Sequence, residues 1–433
     1  SKLRVPPQSF QNSEIKKIPI LNIESIDSEY FLRFSVLDNP GVLSRISGIL
    51  GQHLIGIQSV IQKGRCNEGR GVPLIMMTHR ERLLAVIERK APDRIPWIPR
   101  LSLWYTAQQK LGKLPDRFRG MNLRQIERDL GLGTPARNGR IFKTQLSGVE
   151  IKTKQKGVET STEYTTPVGT VSIVYRHSEE LARVGLPSLQ IEHMIKHKAD
   201  YPVVEYIINH TEVIPTYEEY LAYEEAIGDE GVPLVSLGSC PIHRILREFI
   251  GYNDGFYALY DYPAQIESLL ASLETYAAKL QRVALESPAK MILYGIHFDS
   301  QMTPPPLFKE YFLPHFKVFS KALHERDKIL VCHADNDTKF LLSLIKEAGF
   351  DMAECFVTAP MVHCTLAEAR QDWGNDVIIW GGIPSSILCP PVTDDVFETY
   401  MEDLFRTIVP GDVFILGVAD NAMPDAYIER VIR

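Results

Sequence analysis

Hydrophobic and polar positions along this chain change their period more than once. Strand composition from Tyr30 to Leu37 gives way at Asp38-Asn39-Pro40-Gly41 to residues suited to a turn and a helix start. Val42, Ile46, Ile49 and Leu50 then recur at three- to four-residue spacing, the apolar face of a short helix. Strand-like residues return at Ile55 to Gln62 and Val72 to Thr78. The pattern predicts strand, helix, strand, strand over 28–78. Residues 1–27, with prolines, scattered charges and no sustained period, read as a tail or linker.

From residue 79 onward strands alternate with amphipathic helices, which predicts a parallel α/β architecture. Apolar strand runs stand at Arg94 to Leu101, Val232 to Leu237, Met291 to His297, Lys328 to His333, Met352 to Phe356, Val377 to Trp380 and Val413 to Val418. An eighth strand is inferred, so the fold class expected for 79–433 is α/β, a (β/α)8 TIM-type barrel. Alternating Thr, Val, Lys and Glu near 144–176, with Thr166-Pro167-Val168-Gly169, predict hairpins inserted into it.

Composition narrows the class without naming a chemistry. A chain of 433 residues exceeds what one core usually holds, so a large and a small domain are expected. The net charge of −7, with no basic stripe, argues against a nucleic-acid partner. Six cysteines without a CxxC pair suit a reducing cytoplasm. No apolar run reaches the roughly 18 residues of a membrane helix, and the first residues lack a signal-peptide core.

In a barrel of this type the reacting groups close the strands at their C-terminal ends. That rule selects His297 and Asp299, His333 and Asp335, Glu354 and Cys355, and Asp420 and Asn421. His333 and Asp335 are two apart in extended backbone and share a side, which suits a metal or an acid–base pair; a structural pair capping the next helix is the competing role. Glu354 could be a further ligand or an acid, whereas Cys355 beside apolar residues reads as a small buried hydrophobe. His297 and Asp299 sit on a loop before Pro304-Pro305-Pro306. Asp420 and Asn421 could bind substrate, relay a proton or cap a helix.

Two resemblances sharpen this. The runs YFLRFSVLDNPGVLSRISGIL, IGIQSVIQKGR and VPLIMMTH resemble the ACT domain at the C-terminus of homoserine dehydrogenase, here shortened because HRERLL already begins the next element. That resemblance implies an α+β, ferredoxin-like but incomplete module, an amino-acid effector at Asp38, Asn39, Gly41 and Val42, and a homodimer that covers the missing sheet edge. RERLLAVIERKAPDRIPWIP, TTPVGT and PPPLFKEYFLPHFKVF resemble the uroporphyrinogen decarboxylase and corrinoid methyltransferase superfamily over about four-fifths of the chain.

The second resemblance implies a methyltransferase that moves a methyl group from a small methylated substrate to a cobalamin. Because no DxHxxG segment occurs, the cobalamin is expected on a partner corrinoid protein. The zinc methyltransferases of the superfamily end the corresponding strand in His-x-Cys; this chain has His333 and Asp335, a harder donor set. Zinc or another divalent metal at His333, Asp335 and Glu354 is therefore expected, with catalysis by His333, Asp335, Asp420 and His297. Arg100, Asp299, Trp380 and Asn421 are the expected substrate contacts. The arginine-rich segment of true porphyrinogen decarboxylases is reduced here to Arg100, which disfavours a substrate with several carboxylates. A lyase acting on a small carboxylate and a non-catalytic metabolite sensor are the alternatives.

Overall fold

The computed structural model describes residues 35–36, 42–52, 72–73 and 77–432. The chain divides into two compact units, Ser1–Met76 and Met77–Arg433. In the first, β1 (Ser35–Val36) pairs antiparallel with β2 (Val72–Pro73), and the helix Val42–Gln52 falls between them in sequence. The expected tail, the strand at Ile55 to Gln62, and Asp38, Asn39 and Gly41 lie outside the described residues; Val42 opens the helix.

In the second unit, polar alternation produces antiparallel strands between residues 142 and 215. Here β3 (Phe142–Leu146) pairs with β8 (Thr211–Pro215). Between them β4 (Glu150–Lys156), β5 (Glu159–Thr166), β6 (Gly169–Arg176) and β7 (Leu189–Glu192) form a four-stranded meander. Pro167-Val168 is the two-residue turn joining β5 to β6: the Val168 N–H donates to Thr166 Oγ1 at 3.2 Å and that hydroxyl donates to the Gly169 carbonyl at 3.0 Å. β4 is exposed at every position, as a strand reading Glu-Ile-Lys-Thr-Lys-Gln-Lys must be. The antiparallel region extends well past Arg176 because β7 and β8 carry too few apolar residues to stand out in the sequence.

The apolar runs form one parallel sheet of β9 (Leu234–Ser236), β10 (Met291–Ile296), β11 (Ile329–His333), β12 (Met352–Phe356), β13 (Ile378–Ile383) and β14 (Phe414–Val418), ordered in space as in sequence. Nearly continuous Val, Ile and Leu fit strands covered on both faces. One face packs Leu234, Met291, Leu293, Val331, Met352 and Ile415 with Leu83 and Val86 of the helix His79–Ile87. The alternate residues, including Val235, Ile292, Tyr294, Cys332 and Ala353, pack against the helix layer. There the helix Pro263–Glu286 buries Ile266, Leu269, Leu273, Ala277, Leu280 and Val283 at helical spacing.

Hydrogen bonding continues past both edges. Trp97 forms a parallel bridge to Leu416 of β14, and Gly139 one to Val235 of β9. The two added segments meet where the Gly133 N–H donates to the Trp97 carbonyl at 3.1 Å. The run expected as a strand from Arg94 to Leu101 is thus a single bridge, shortened by Pro96 and Pro99, which have no N–H to give a ladder. Among the described residues no helix is long and apolar enough to cross a membrane.

Candidate functional site

The side-chain period of two carries the inner face of the sheet from apolar to charged. On β11 Val331 is followed by His333, and on β12 Met352 by Glu354; His333 and Glu354 are register partners across the two strands. Alternation would send Cys355 outward, but its φ of 55° and a register shift between Glu354 and Phe356 turn it toward the charged groups. His297, just past β10, and Asp420, just past β14, both have φ of 54°. Ala136, directly before Arg137, has φ of 46°. Left-handed backbone at non-glycine residues is costly, and such residues gather at sites where a side chain must be aimed.

The aimed groups form one connected cluster. His333 Nδ1 lies 2.6 Å from Glu354 Oε2, so the carboxylate accepts that N–H and fixes the ring. The other oxygen of Glu354 accepts from Arg137 Nη1 and, at 3.0 Å, from the Cys355 thiol. Asp335 Oδ2 stands 3.1 Å from His297 Nδ1 and 3.4 Å from His333 Nε2. Arg100 Nη1 donates to Asp420 Oδ1 at 2.6 Å and lies 3.3 Å from Cys355 Sγ. His333 and Glu354 are 6% and 1% exposed, so these charges are removed from water and must be paired.

The surroundings set the protonation states. Burial holds His333 below the ordinary imidazole range, with Arg137 and Arg100 adding to the effect against the attraction of Asp335. Burial alone would raise Asp335, yet the hydrogen bond from His297 and the neighbouring His333 ring hold it far below the usual carboxylate range. Burial pushes the Cys355 thiol up while Arg100 and Arg137 pull it down, leaving it raised. With Nδ1 donating to Glu354, a neutral His333 directs the Nε2 lone pair toward Asp335 Oδ2 and, at 3.7 Å, Asp420 Oδ1. A lone pair facing two carboxylates calls for positive charge between them, a proton or a cation.

One donor atom each from His333, Cys355 and Asp420 lies within 4.8 Å of the others, a mixed nitrogen, sulfur and oxygen set of the kind that suits zinc. Asp335 and Glu354, two of the three expected ligands, instead take the hydrogen bonds that orient the histidines. Arg137 is not anticipated from the sequence, and Cys355, which the strand-end rule selects, reads there as a buried hydrophobe.

Three expected substrate contacts are committed elsewhere. Asp299 Oδ1 accepts the N–H groups of Gln301 and Met302 at 2.8 and 3.0 Å, closing its own loop. Asn421 Oδ1 accepts from Ser102 Oγ and the Leu103 N–H, both at 3.1 Å, at the start of the helix Ser102–Leu111. Trp380 is buried in the inner apolar core and donates its indole N–H to the Ile98 carbonyl at 3.1 Å. Of the four expected substrate contacts, Arg100 alone joins the cluster.

A parallel α/β sheet with its buried charges gathered at the strand C-termini is the layout of an enzyme. The chain belongs to the uroporphyrinogen decarboxylase (URO-D) family, which it matches over residues 209–432. Its N-terminal part is similar to homoserine dehydrogenase of Pseudomonas aeruginosa, 40% identical over 92 residues, 21% of this chain and 20% of that protein. Homoserine dehydrogenase of Methylobacillus glycogenes is 34% identical over 96 residues, 22% of each chain. The chain spans about a fifth of the length of these curated relatives. A solved structure of a methyltransferase from Methanosarcina mazei aligns with 82% of this chain and 96% of its own, at 14% identity and a TM-score of 0.48.

Proposed function

We propose that the second unit is a closed (β/α)8 barrel that transfers a methyl group from a small methylated substrate to a corrinoid carried on a partner protein. The observation that carries this reading is the convergence of His333, Cys355 and Asp420 within 4.8 Å, beside carboxylates that orient the histidine. Demethylation at a heteroatom needs a group that takes up the electron pair left on that atom, and a zinc ion held by these three side chains would supply a Lewis acid for it. Glu354 keeps the His333 ring oriented with Nε2 toward the reacting space, and Asp335 orients the His297 ring by accepting from its Nδ1. His297, whose side chain is 35% exposed, is the proton carrier best placed to exchange with solvent.

Decarboxylation of a small carboxylate is a second reading, favoured by one observation. Arg100 and Arg137 both reach Cys355, at 3.3 and 4.0 Å, so two guanidinium groups border the same space and could hold a carboxylate. An anaerobic screen of O-, N- and S-methyl donors with reduced free cobalamin, run after metal analysis, separates the two. Methylated cobalamin formed by native protein and greatly diminished with His333→Ala supports methyl transfer. CO2 release without cobalamin selects the lyase, and inertness in both assays contradicts both readings.

A further inference from the structure

A polar cavity lies on the helix-layer side of the sheet. It has a volume of about 190 Å³ and is bordered by Ser239, Arg244, Glu248, Tyr276 and Tyr294. Ser239 follows the C-terminal end of β9, and Tyr294 points from β10 into the helix layer, where its ring packs edge-on to Phe316 and Phe319. The cavity is thus separated by the sheet from the face that carries His333. Residues 244–249 wind as a π-helix, whose wide turn is marked by the Ile250 N–H donating to the Ile245 carbonyl at 3.1 Å. Such turns are uncommon and concentrate at functional sites.

The charged pair on that turn is held in place from both sides. The Arg244 guanidinium lies over the rings of Phe249 and Tyr276, at 5.0 and 5.1 Å from their centroids, which holds its plane in place. Its Nε donates to Glu248 Oε2 at 3.3 Å, and its terminal amino groups make no hydrogen bond to any described residue. Glu248 Oε1 accepts from Ser239 Oγ at 2.5 Å, so the carboxylate too is positioned and keeps free lone pairs. A simple anion would meet Arg244 but be repelled by Glu248, and a simple cation the reverse. A molecule with both charges satisfies the pair, and Leu273, Ala277 and Leu280 provide an apolar wall beside it.

We propose that this cavity binds a small zwitterion, an α-amino acid whose carboxylate pairs with Arg244 and whose ammonium pairs with Glu248. The test is calorimetric titration of the full chain with each of the protein amino acids, and with the matching deaminated acid and decarboxylated amine of any that bind. Saturable binding of an amino acid is expected, with affinity about tenfold or more weaker for either single-charge analogue. Arg244→Gln should weaken the amino acid by a similar factor. Glu248→Gln should weaken the amino acid while strengthening the deaminated acid, a reversal that loss of folding cannot imitate. His333→Ala should leave this binding unchanged. Absence of binding by every amino acid at millimolar concentration, binding indifferent to both charge variants, or binding lost in His333→Ala would overturn the assignment.

Discussion

The two ends of the parallel sheet differ in how completely their buried polar groups are paired. At the C-terminal end His333, Asp335, Glu354 and Asp420 lie among His297, Arg100 and Arg137, and every carboxylate there has a charged or hydrogen-bonded neighbour. At the other end Glu127, 3% exposed, keeps Oε2 without a hydrogen-bond partner, as does His79, the first residue of the helix His79–Ile87, at Nδ1. Gly133 connects that end to the sheet: a side chain there would collide with Ile98 and His79. The contrast separates a site where charges are positioned against one another from one where burial is the largest influence on whether a group is charged. Asp335 is held far below the usual carboxylate range by its histidine neighbours, whereas Glu127 is pushed up to about 7 mainly by burial, and His79 down to about 4.

Variants at the two ends sharpen this comparison. The largest effect is expected for His333→Gln, which removes the nitrogen donor of the proposed zinc site, with turnover reduced roughly 10²-fold or more and measured as initial methyl-transfer rate. Next, Glu354→Ala strands Arg137 and leaves His333 Nδ1 without its acceptor, so a loss of about 3–5 kcal/mol is expected in denaturant melts. An unchanged midpoint would show that the cluster is not a mutually supporting unit.

Glu127→Gln tests the opposite end by pH. The carboxyl is raised from 4.5 to about 7 mainly by burial, with Glu230 adding and Thr134 and Arg124 opposing. Between those values the folded state binds more protons than the unfolded one, so native stability falls as pH rises through that window. The variant should therefore melt higher than native protein at pH 8 and show little advantage at pH 4; a lower melt at pH 8 would contradict the assignment. The smallest effect belongs to Asn421→Ala. Loss of the acceptor for Ser102 and Leu103 should cost about 1 kcal/mol and leave KM unchanged. A large KM increase would restore Asn421 as a substrate contact.

These residues also show what the sequence alone could convey. Apolar runs at 291–296, 329–333, 352–356 and 414–418 made the parallel strands visible, and the rule that chemistry closes such strands selected His297, His333, Asp335, Glu354 and Asp420, which lie in one cluster. The same rule also selected Asp299 and Asn421, because residue type does not reveal whether a polar side chain faces the site or caps a turn. Arg137 was missed because Pro135-Ala136-Arg137-Asn138-Gly139 has no apolar run, and its place beside β9 rests on one backbone bridge. Cys355 was taken as a buried hydrophobe. It is buried, but a left-handed backbone, invisible in composition, turns its sulfur toward Arg100 and Glu354.

The most direct test is a side-by-side measurement of methyl transfer to reduced cobalamin by native protein, His333→Gln and Glu127→Gln, each checked for folding at the assay pH. The account predicts near-complete loss in His333→Gln and close to native rates in Glu127→Gln. Equal losses in the two variants, or native rates in His333→Gln, would contradict the claim that chemistry resides at the C-terminal end of the sheet.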